Sequence, residues 1–397
     1  MTDRTRAMRR WLATPIRSLD RGVARLRAKQ RILAEIRTPM HLAVLGPIIE
    51  ALESRADLDV RFTSEYPERI RPLVPDGRFL THADARWQRF DLYINADPWG
   101  AVSLARCEAR INFFHGVAGK YDLDTPAGLP LEFHRYDRVA FINRDRLRRY
   151  VDSQLIAPAQ AALIGYPKLD RLSSGRCDGE AAVATLGFPA SRPIALYAPT
   201  YSPASSLHQA GESIVISLAR AGFNVIVKLH DRSFDSDPRY NGGVDWRARF
   251  AAIAQSAPVR LAQTADSSPW LAAADLMVTD HSSVGFEYLV LDRPLIVYDA
   301  PQLIEAARIN PEKVRLLRSA ATVVRTPDDL ACAAALAVRN RARLSSARRR
   351  VAEEIFYDPG RATDRAVALI DAALGRGSRR GAGEPASTAI SARREAR

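Results

Sequence analysis

The amino-acid sequence predicts an α/β fold made of two consecutive units, each built around a parallel β-sheet. Short apolar runs typical of buried strands alternate with helical patterns from Pro39 to about Ser174, and this alternation starts again at Ile194. The chain has 397 residues, which suits two domains of roughly 150 to 200 residues better than one core. A small, polar stretch at 173–182 is the predicted linker.

The apolar runs place six strands in each unit. The first set is predicted at 41–45, 60–63, 92–95, 111–114, 138–142 and 161–164, with helices that include 47–54 and 144–152. The second set is predicted at 194–198, 224–228, 259–261, 276–279, 295–298 and 322–324, with helices at 213–221, 246–255, 283–291 and 328–338. Two Rossmann-like halves with parallel sheets facing across a cleft are the organisation of a GT-B enzyme. The expected domains are therefore 39–180 on the acceptor side and 181–374 on the nucleotide side.

The N-terminal segment, residues 1–38, is predicted to be a basic amphipathic helix or helix pair. It carries eleven Lys/Arg and three acidic residues, a surplus of +8, around an apolar stripe that runs through Leu12, Leu19, Leu26 and Leu33. Such a helix either lies on an anionic membrane surface or packs on the first unit, and the sequence leaves both interpretations open. The tail, 375–397, has a composition typical of disorder.

The charge distribution excludes a nucleic-acid-binding core. The net charge of +13 comes mainly from the two ends, because 376–397 add +4 and the residues in between are close to +1. The three cysteines form no CxxC pair, and no ligand cluster has metal spacing, so we expect neither a metal site nor a cofactor. A reducing, cytoplasmic compartment and a peripheral position at the inner face of the cell membrane are the expected location.

Two histidines follow predicted strands at positions where parallel sheets place ligands. His115 closes a strand of the first unit and is followed by Gly116, which permits a tight turn, so it is a candidate base toward an acceptor hydroxyl. His230 follows a strand of the second unit together with Lys228 and Arg232, and it is a candidate phosphate ligand or proton donor. Taken singly, each histidine is also compatible with a purely structural role.

Ser282 and Ser283 follow another strand of the second unit and begin a predicted helix. Free backbone N–H groups at a helix N-terminus, together with two hydroxyls, suit a pyrophosphate. Ordinary N-capping without a ligand explains the same residues equally well. The chain lacks the Walker A, GxGxxG, HExxH and GxSxG patterns.

Taken in order, these segments resemble the CDP-glycerol:glycerophosphotransferases, the teichoic-acid primases and polymerases. The resemblance covers about 110–370 and rests on six elements: HGVAGK at 115–120, GYPKLDRL at 165–172, YAPTY at 197–201, KLHD at 228–231, TDHSS at 279–283 with Glu287, Pro294 and Tyr298, and FYDPGRATDR at 356–365.

The resemblance implies roles for these positions. His115 would take the proton of the acceptor hydroxyl, which attacks the β-phosphorus of CDP-glycerol or a related CDP-polyol, and CMP leaves. His230 and the cations beside it would stabilise the departing CMP. The other implied substrate- or nucleotide-binding residues are Gly116, Lys120, Thr200, Lys228, Arg232, Asp280, Ser282, Ser283, Asp299 and Arg365.

The acceptor implied by the resemblance is a lipid-linked or polysaccharide hydroxyl of the cell envelope. Three other functions remain open at this point. The chain is compatible with a GT-B nucleotide-sugar glycosyltransferase, with a relative of the UDP-sugar 2-epimerases, and with a non-catalytic membrane-associated scaffold of the same fold.

Overall fold

The structure is a computed structural model that describes residues 29–126, 128–188, 192–235 and 237–376. In these residues it contains two parallel sheets. The first sheet has the order β3-β2-β1-β4-β5-β6-β7, with β1 Gln30–Glu35, β2 Leu58–Thr63, β3 Phe79–Leu80, β4 Arg89–Asn95, β5 Arg106–Phe113, β6 Arg138–Phe141 and β7 Ala161–Leu163. The second has the order β10-β9-β8-β11-β12-β13, with β8 Ile194–Tyr197, β9 Asn224–Val227, β10 Val259–Leu261, β11 Leu276–Thr279, β12 Leu295–Tyr298 and β13 Thr322–Val324.

Both sheets have the doubly wound strand order. Successive strands are added on one side of the first strand of the sheet, β1 or β8, and later strands are added on its other side. Every residue of β9, β11 and β12 is buried, as expected for strands covered by helices on both faces. The helices are α1 Pro39–Glu53, α2 Pro67–Ile70, α3 His82–Trp87, α4 Arg144–Asp152, α5 Asp170–Ser173, α6 Gly179–Ala184, α7 Ser206–Arg220, α8 Pro238–Asn241, α9 Trp246–Ala254, α10 Ser268–Ala273, α11 Ser283–Leu289, α12 Pro301–Ala306, α13 Pro311–Ser319, α14 Pro327–Arg339, α15 Ser345–Ile355 and α16 Ala362–Ala373.

The start of the first unit differs from the prediction. Gln30–Glu35 is strand β1 at the centre of the first sheet, paired with β2 and β4, instead of the end of an amphipathic helix. Leu33 is fully buried because both faces of this strand are covered. Its sequence distance from Leu26 matches the apolar repeat of a helix, and this match explains why a helix was predicted here. The strand predicted at 41–45 lies inside helix α1, which begins at Pro39. Residues 1–28 lie outside the described part of the chain.

The C-terminal part of the chain returns to the first sheet, although the sequence assigned it to the second unit. After α15, the Tyr357 N–H donates to the Ile142 carbonyl at 3.0 Å. Helix α16 then packs near α1, where Arg55 pairs with Asp371 at 2.7 Å. Of the predicted tail at 375–397, only Gly375 and Arg376 are described, and the remainder lies outside the described residues.

The strands that carry the predicted site lie close to their predicted bounds. β11 and β12 have the predicted limits, and β9 ends at Val227, one residue before the predicted end at Lys228. Within the described residues, no helix is long and apolar enough to cross a membrane.

Candidate active site

A cavity of about 240 Å³ lies between the two sheets and is lined by residues from both. Eight of the residues predicted from sequence line it: His115, Gly116, Lys120, Thr200, Lys228, His230, Ser282 and Ser283. The loops that follow β5 and β7 come from the first sheet, and those that follow β8, β9 and β11 come from the second. Parallel strands place their carboxyl ends at one edge of a sheet, and the two edges face each other here.

In the described part of the chain, one polar contact holds the ring of His115. Nδ1 lies 2.6 Å from the carbonyl oxygen of Ala96. A carbonyl oxygen only accepts, so Nδ1 carries a proton in this contact, and Nε2 of the neutral ring is left as an acceptor. Burial lowers the pKa of His115 from its usual value, which keeps the ring neutral at pH 7. His115 therefore has the protonation state that a general base needs.

His41 packs edge-on against His115 with ring centroids 5.1 Å apart. It is buried in α1, and burial together with the neighbouring His115 holds the pKa of His41 well below its usual value. A second neutral ring thus supports the first without adding charge.

Gly116 continues the chain with φ +108°, a conformation that L side chains rarely adopt. Its carbonyl oxygen accepts from the guanidinium of Arg146, which is 2% exposed and also bound to Asp124 at 2.6 Å. Arg146 lines the cavity from α4. Arg146 was not predicted as a site residue because it lies within an arginine-rich helix and belongs to no motif.

Lys120 and Lys228 bring two ammonium groups to the cavity. Nζ of Lys120 donates to Oγ1 of Thr200 at 2.9 Å, and Nζ of Lys228 donates to the Leu229 carbonyl at 2.6 Å. Burial lowers the pKa of each lysine to about 8. Among the residues that the structure describes, each ammonium makes one hydrogen bond, so two of its three protons remain for an anionic ligand.

His230 lies close enough to these cations for their charges to act on its ring. Its Nδ1 accepts from the Arg232 backbone N–H at 3.2 Å, so Nε2 of the neutral ring carries the proton. Burial, followed by the positive charge of Lys228 and Arg232, lowers the pKa of His230 to about 3. His230 is therefore a hydrogen-bond donor through Nε2 and carries no charge.

Ser282 and Ser283 lie at the beginning of α11 and line the cavity. Ser282 has the extended backbone of an N-cap residue, yet its hydroxyl makes no capping hydrogen bond. The Ser282 hydroxyl is thus available to a ligand. The helix has only seven residues, so its dipole is a small addition to the charges of the lysines.

Four predicted site residues do not line the cavity. Asp280 is buried and accepts from the backbone N–H of Thr200 at 3.0 Å, so it positions a residue that does line the cavity. The Arg232 guanidinium stacks 4.3 Å from the Tyr240 ring centroid. Asp299 pairs with Arg318 and Arg325, and Arg365 donates to the Ile164 carbonyl at 2.7 Å.

The sequence analysis assigned no role to Lys168 and Glu287, which line the same cavity and form a buried ion pair with an N–O distance of 2.7 Å. One signal pointed to Lys168. The chain has five lysines and 53 arginines, and Lys120, Lys168 and Lys228 all line the cavity. Among the residues that the structure describes, no group of His, Cys, Asp and Glu side chains has the arrangement of a metal site.

Comparison with known proteins adds a family and a fold. The family model described as CDP-Glycerol:Poly(glycerophosphate) glycerophosphotransferase matches residues 133–371, more than half of the chain. No curated protein matches the sequence.

Solved structures with the same fold include the wall teichoic acid polymerase TagF, with 13% identity, a TM-score of 0.63, and coverage of 88% of this chain and 90% of that one. A TagF variant soaked with CDPG gives a TM-score of 0.64 at 13% identity, over the same shares of the two chains. UDP-GlcNAc 2-epimerase from Neisseria meningitidis, bound to UDP-GlcNAc, has 13% identity and a TM-score of 0.53, with 87% of this chain and 100% of that one covered. At such identities these likenesses establish the GT-B-like arrangement of two sheets.

Proposed function

Because the chain belongs to the CDP-glycerol:poly(glycerophosphate) glycerophosphotransferase family, we propose that it moves glycerol phosphate from CDP-glycerol to an acceptor hydroxyl and releases CMP. The observation that carries this proposal is the division of the cavity into two sides. A neutral histidine with a free acceptor nitrogen comes from the first sheet, and Lys228 with a histidine donor comes from the second, where Thr200 also accepts a hydrogen bond from the Lys120 ammonium.

The cationic side suits the pyrophosphate of the donor. Lys120, Lys228 and Nε2–H of His230 supply charge and hydrogen-bond donors in a buried site, where electrostatic interactions are stronger than in water. The hydroxyls of Ser282 and Ser283 add further donors. Phosphoryl transfer depends chiefly on such positioning and charge stabilisation, which these residues provide without a covalent intermediate.

In the proposed reaction, Nε2 of His115 accepts the proton of the acceptor hydroxyl as its oxygen forms a bond to the β-phosphorus. The bond between that phosphorus and the bridging oxygen breaks, and CMP leaves with the electron pair. Lys228 and His230 stabilise the charge that accumulates on the leaving phosphate. The products are a phosphodiester on the acceptor, CMP, and a proton held by His115.

The proposed acceptor is a hydroxyl of a lipid-linked or polysaccharide precursor of the cell envelope, reached at the inner face of the cell membrane. The family model supports the donor class, and the basic residues before position 29 support the membrane position. A nucleotide-sugar glycosyltransferase would use the same cationic side, but no particular residue of the cavity favours it.

Phosphorus NMR tests the proposed reaction directly. CDP-glycerol is incubated with the protein and a soluble acceptor that ends in glycerol phosphate. We expect the pyrophosphate signals to be replaced by those of CMP and a new phosphodiester. Release of CMP without a phosphodiester, or no reaction with this acceptor and with a ribitol phosphate acceptor, would contradict the proposal.

A further inference from the structure

An exposed tryptophan, Trp99, lies in the loop that holds the ring of His115. This loop, residues 96–100, follows β4, and the carbonyl oxygen of Ala96 is the one that lies 2.6 Å from Nδ1 of His115. Trp99 comes three residues after Ala96, a distance of at most about 11 Å along the chain. Its side chain is 41% exposed, although tryptophan is on average highly buried. A large aromatic ring in solvent next to a candidate base is a candidate ligand contact.

The backbone around Trp99 is held by buried polar groups. The side-chain amides of Asn95 and Asn112, both fully buried, donate to the loop: Asn112 to the Asp97 carbonyl at 2.9 Å and Asn95 to the Gly100 carbonyl at 3.1 Å. The Asp97 carboxylate accepts from the Trp99 backbone N–H at 2.7 Å. The loop is therefore ordered before any ligand arrives, which reduces the entropy that binding costs.

A charged cluster, Arg37 with Asp97 and Glu65, joins this loop to the candidate base by a second route. The Arg37 guanidinium lies 2.9 Å from the Asp97 carboxylate and also pairs with Glu65. The backbone N–H of Arg37 donates to Nδ1 of His41 at 3.4 Å, and the His41 ring packs on His115. The cluster and the loop are thus fixed relative to His115.

A second exposed aromatic residue, Tyr66, adjoins the other carboxylate of the cluster. It follows Glu65 in the chain and is 40% exposed. The Arg69 guanidinium lies 5.7 Å from the centroid of its ring and pairs at 3.1 Å with Asp235, which belongs to the second half. Tyr66 therefore lies where the two halves meet, at the mouth of the cleft.

Two exposed aromatic residues beside a charged cluster suit a sugar ring. One face of a pyranose presents C–H groups that pack on an aromatic ring, and its hydroxyls both donate to carboxylates and accept from a guanidinium. A lipid chain would remove the charged groups from water without giving them partners. A chain of phosphates would meet two carboxylates and one guanidinium, so the charge of the cluster opposes it.

We propose that the acceptor carries a sugar ring within one or two units of its reacting hydroxyl, and that this ring packs on Trp99 while its hydroxyls bind the charged cluster. The inference rests on the proposed function, since it takes His115 as the base for that hydroxyl. The first half then recognises the acceptor by a neutral sugar, whereas the cations of the cavity recognise the phosphates of the donor.

Initial rates with the full chain and CDP-glycerol test this inference with a set of soluble acceptors. Each ends in the same glycerol phosphate, and its phosphate is joined to a methyl group, to a second glycerol phosphate, or to the methyl glycoside of glucose, galactose or N-acetylglucosamine. The wild type should use at least one sugar-capped acceptor with a kcat/KM about tenfold above that of the methyl-capped one, as for burial of one face of a ring. The gain should appear in KM, because the sugar is remote from the reacting phosphorus.

The ratio of these two kcat/KM values is the quantity to compare between variants, because a general loss of turnover cancels from it. Trp99→Ala should reduce the ratio to near one, and Trp99→Phe, which keeps an aromatic ring, should retain part of it. Trp87→Ala is the matched control. Trp87 is 66% exposed and belongs to the same half, but it ends α3 just before β4 begins, at the opposite end of that strand from Trp99. Its ratio should equal that of the wild type, and thermal unfolding checks each protein.

A wild type that prefers no sugar-capped acceptor, or that prefers the second glycerol phosphate to every sugar, would overturn the inference and leave the proposed function intact. A preference that persists in Trp99→Ala, or that is lost in Trp87→Ala, would overturn it as well. A wild type that transfers glycerol phosphate to none of these acceptors would overturn the proposed function and this inference with it.

Discussion

At the scale of single residues, the different roles proposed for His115 and His230 follow from the atom that Nδ1 of each ring contacts. The carbonyl of Ala96 requires a proton on Nδ1 of His115, whereas the N–H of Arg232 requires a lone pair on Nδ1 of His230. The first ring therefore presents an acceptor to the cavity and the second presents a donor. Burial keeps both neutral, because it lowers the pKa of each.

His115→Ala should lower kcat about a hundredfold or more, since it removes the proton acceptor, which corresponds to about 2.7 kcal/mol of barrier. The affinity for CMP should change little, because the proposed phosphate ligands are Lys120, Lys228 and His230. His230→Ala should lower kcat by a similar factor and should also weaken the binding of CMP. His134→Ala is the control, an exposed histidine of the same half. Full turnover in a folded His115→Ala protein would remove its assigned role.

The affinity for CMP should depend on pH because of Lys120 and Lys228. Burial lowers their pKa values to about 8 in the empty protein. A bound phosphate stabilises the ammonium form, so the pKa values rise in the complex. Affinity should then be full below about pH 8 and fall as the pH rises above it, by up to about tenfold per pH unit for each lysine.

Calorimetry with CMP between pH 7 and pH 9.5 measures this dependence. Lys228→Met should weaken the binding of CMP at pH 7. It should also reduce the slope of CMP affinity against pH above pH 8, since one of the two titrating groups is gone. An affinity that is constant over this range would show that the two lysines do not contact the phosphate.

At the scale of elements, the turn at Gly165 joins the first sheet to the returning C-terminal chain. Gly165→Ala should destabilise the protein by about 3 kcal/mol or more, because it adds a collision with the Tyr357 carbonyl to the cost of positive φ. Gly175→Ala is the matched control. It has φ +70° with open space around its Cβ position and should cost about 1 kcal/mol.

Urea unfolding followed by circular dichroism compares the two variants. Equal losses of unfolding free energy would mean that the segment adapts to the added methyl group. In that case the close contact between Gly165 and the Tyr357 carbonyl would not hold this turn rigidly.

The elements of the second sheet were predictable from sequence because each buried strand is a short apolar run between turns. The same rule failed at β1, where Arg31 and Glu35 interrupt the apolar run and the preceding leucines continue a helical spacing. It failed again at α1, where a Pro-initiated helix begins with apolar residues that resemble a strand. Local pattern alone does not separate short apolar helices from strands.

From local sequence pattern, the residues of the candidate site were predictable where they directly follow a predicted strand. His115, Lys228 and His230 all follow strands, and the parallel topology brings such positions to one edge. The Lys168–Glu287 pair spans 119 residues of sequence, and nothing near either residue indicates its partner. Asp299 and Arg365 matched a family pattern, yet their partners are protein groups outside the cavity.

At the scale of the whole molecule, the structure changes how the N-terminal segment is to be tested. Deleting residues 1–37 would remove strand β1 from the first sheet. Residues 1–28 carry eight arginines and two aspartates and precede that strand. Deleting them should release the protein from vesicles of anionic phospholipid while CMP affinity is retained, since each basic residue near such a surface contributes about 1 kcal/mol.

Vesicle sedimentation at low and high salt compares the full chain with the deleted one. Neutral phosphatidylcholine vesicles are the control for charge, and high salt should weaken the attachment without abolishing it. If the full chain fails to sediment with anionic vesicles at low salt, the segment packs on the protein and the membrane proposal is wrong.

The two sheets meet through the loop that follows His115, and this loop also reaches the second half of the molecule. The Tyr121 N–H donates to the Ala307 carbonyl at 3.0 Å, and Arg308 pairs with Asp122 at 2.6 Å. The same loop carries Lys120, whose ammonium contacts Thr200 from the second half. The loop thereby joins the two halves that line the cavity, as the proposed direct transfer between two substrates requires.

The donor preference of that cavity tests the central claim most directly. Calorimetric titration of the wild-type chain with CDP-glycerol and, separately, with UDP-GlcNAc requires no knowledge of the acceptor. The account predicts that CDP-glycerol binds at least about tenfold more tightly, a difference of about 1.4 kcal/mol, and that CMP competes with it. Equal or tighter binding of UDP-GlcNAc would contradict the account and identify a sugar-nucleotide enzyme on the same fold.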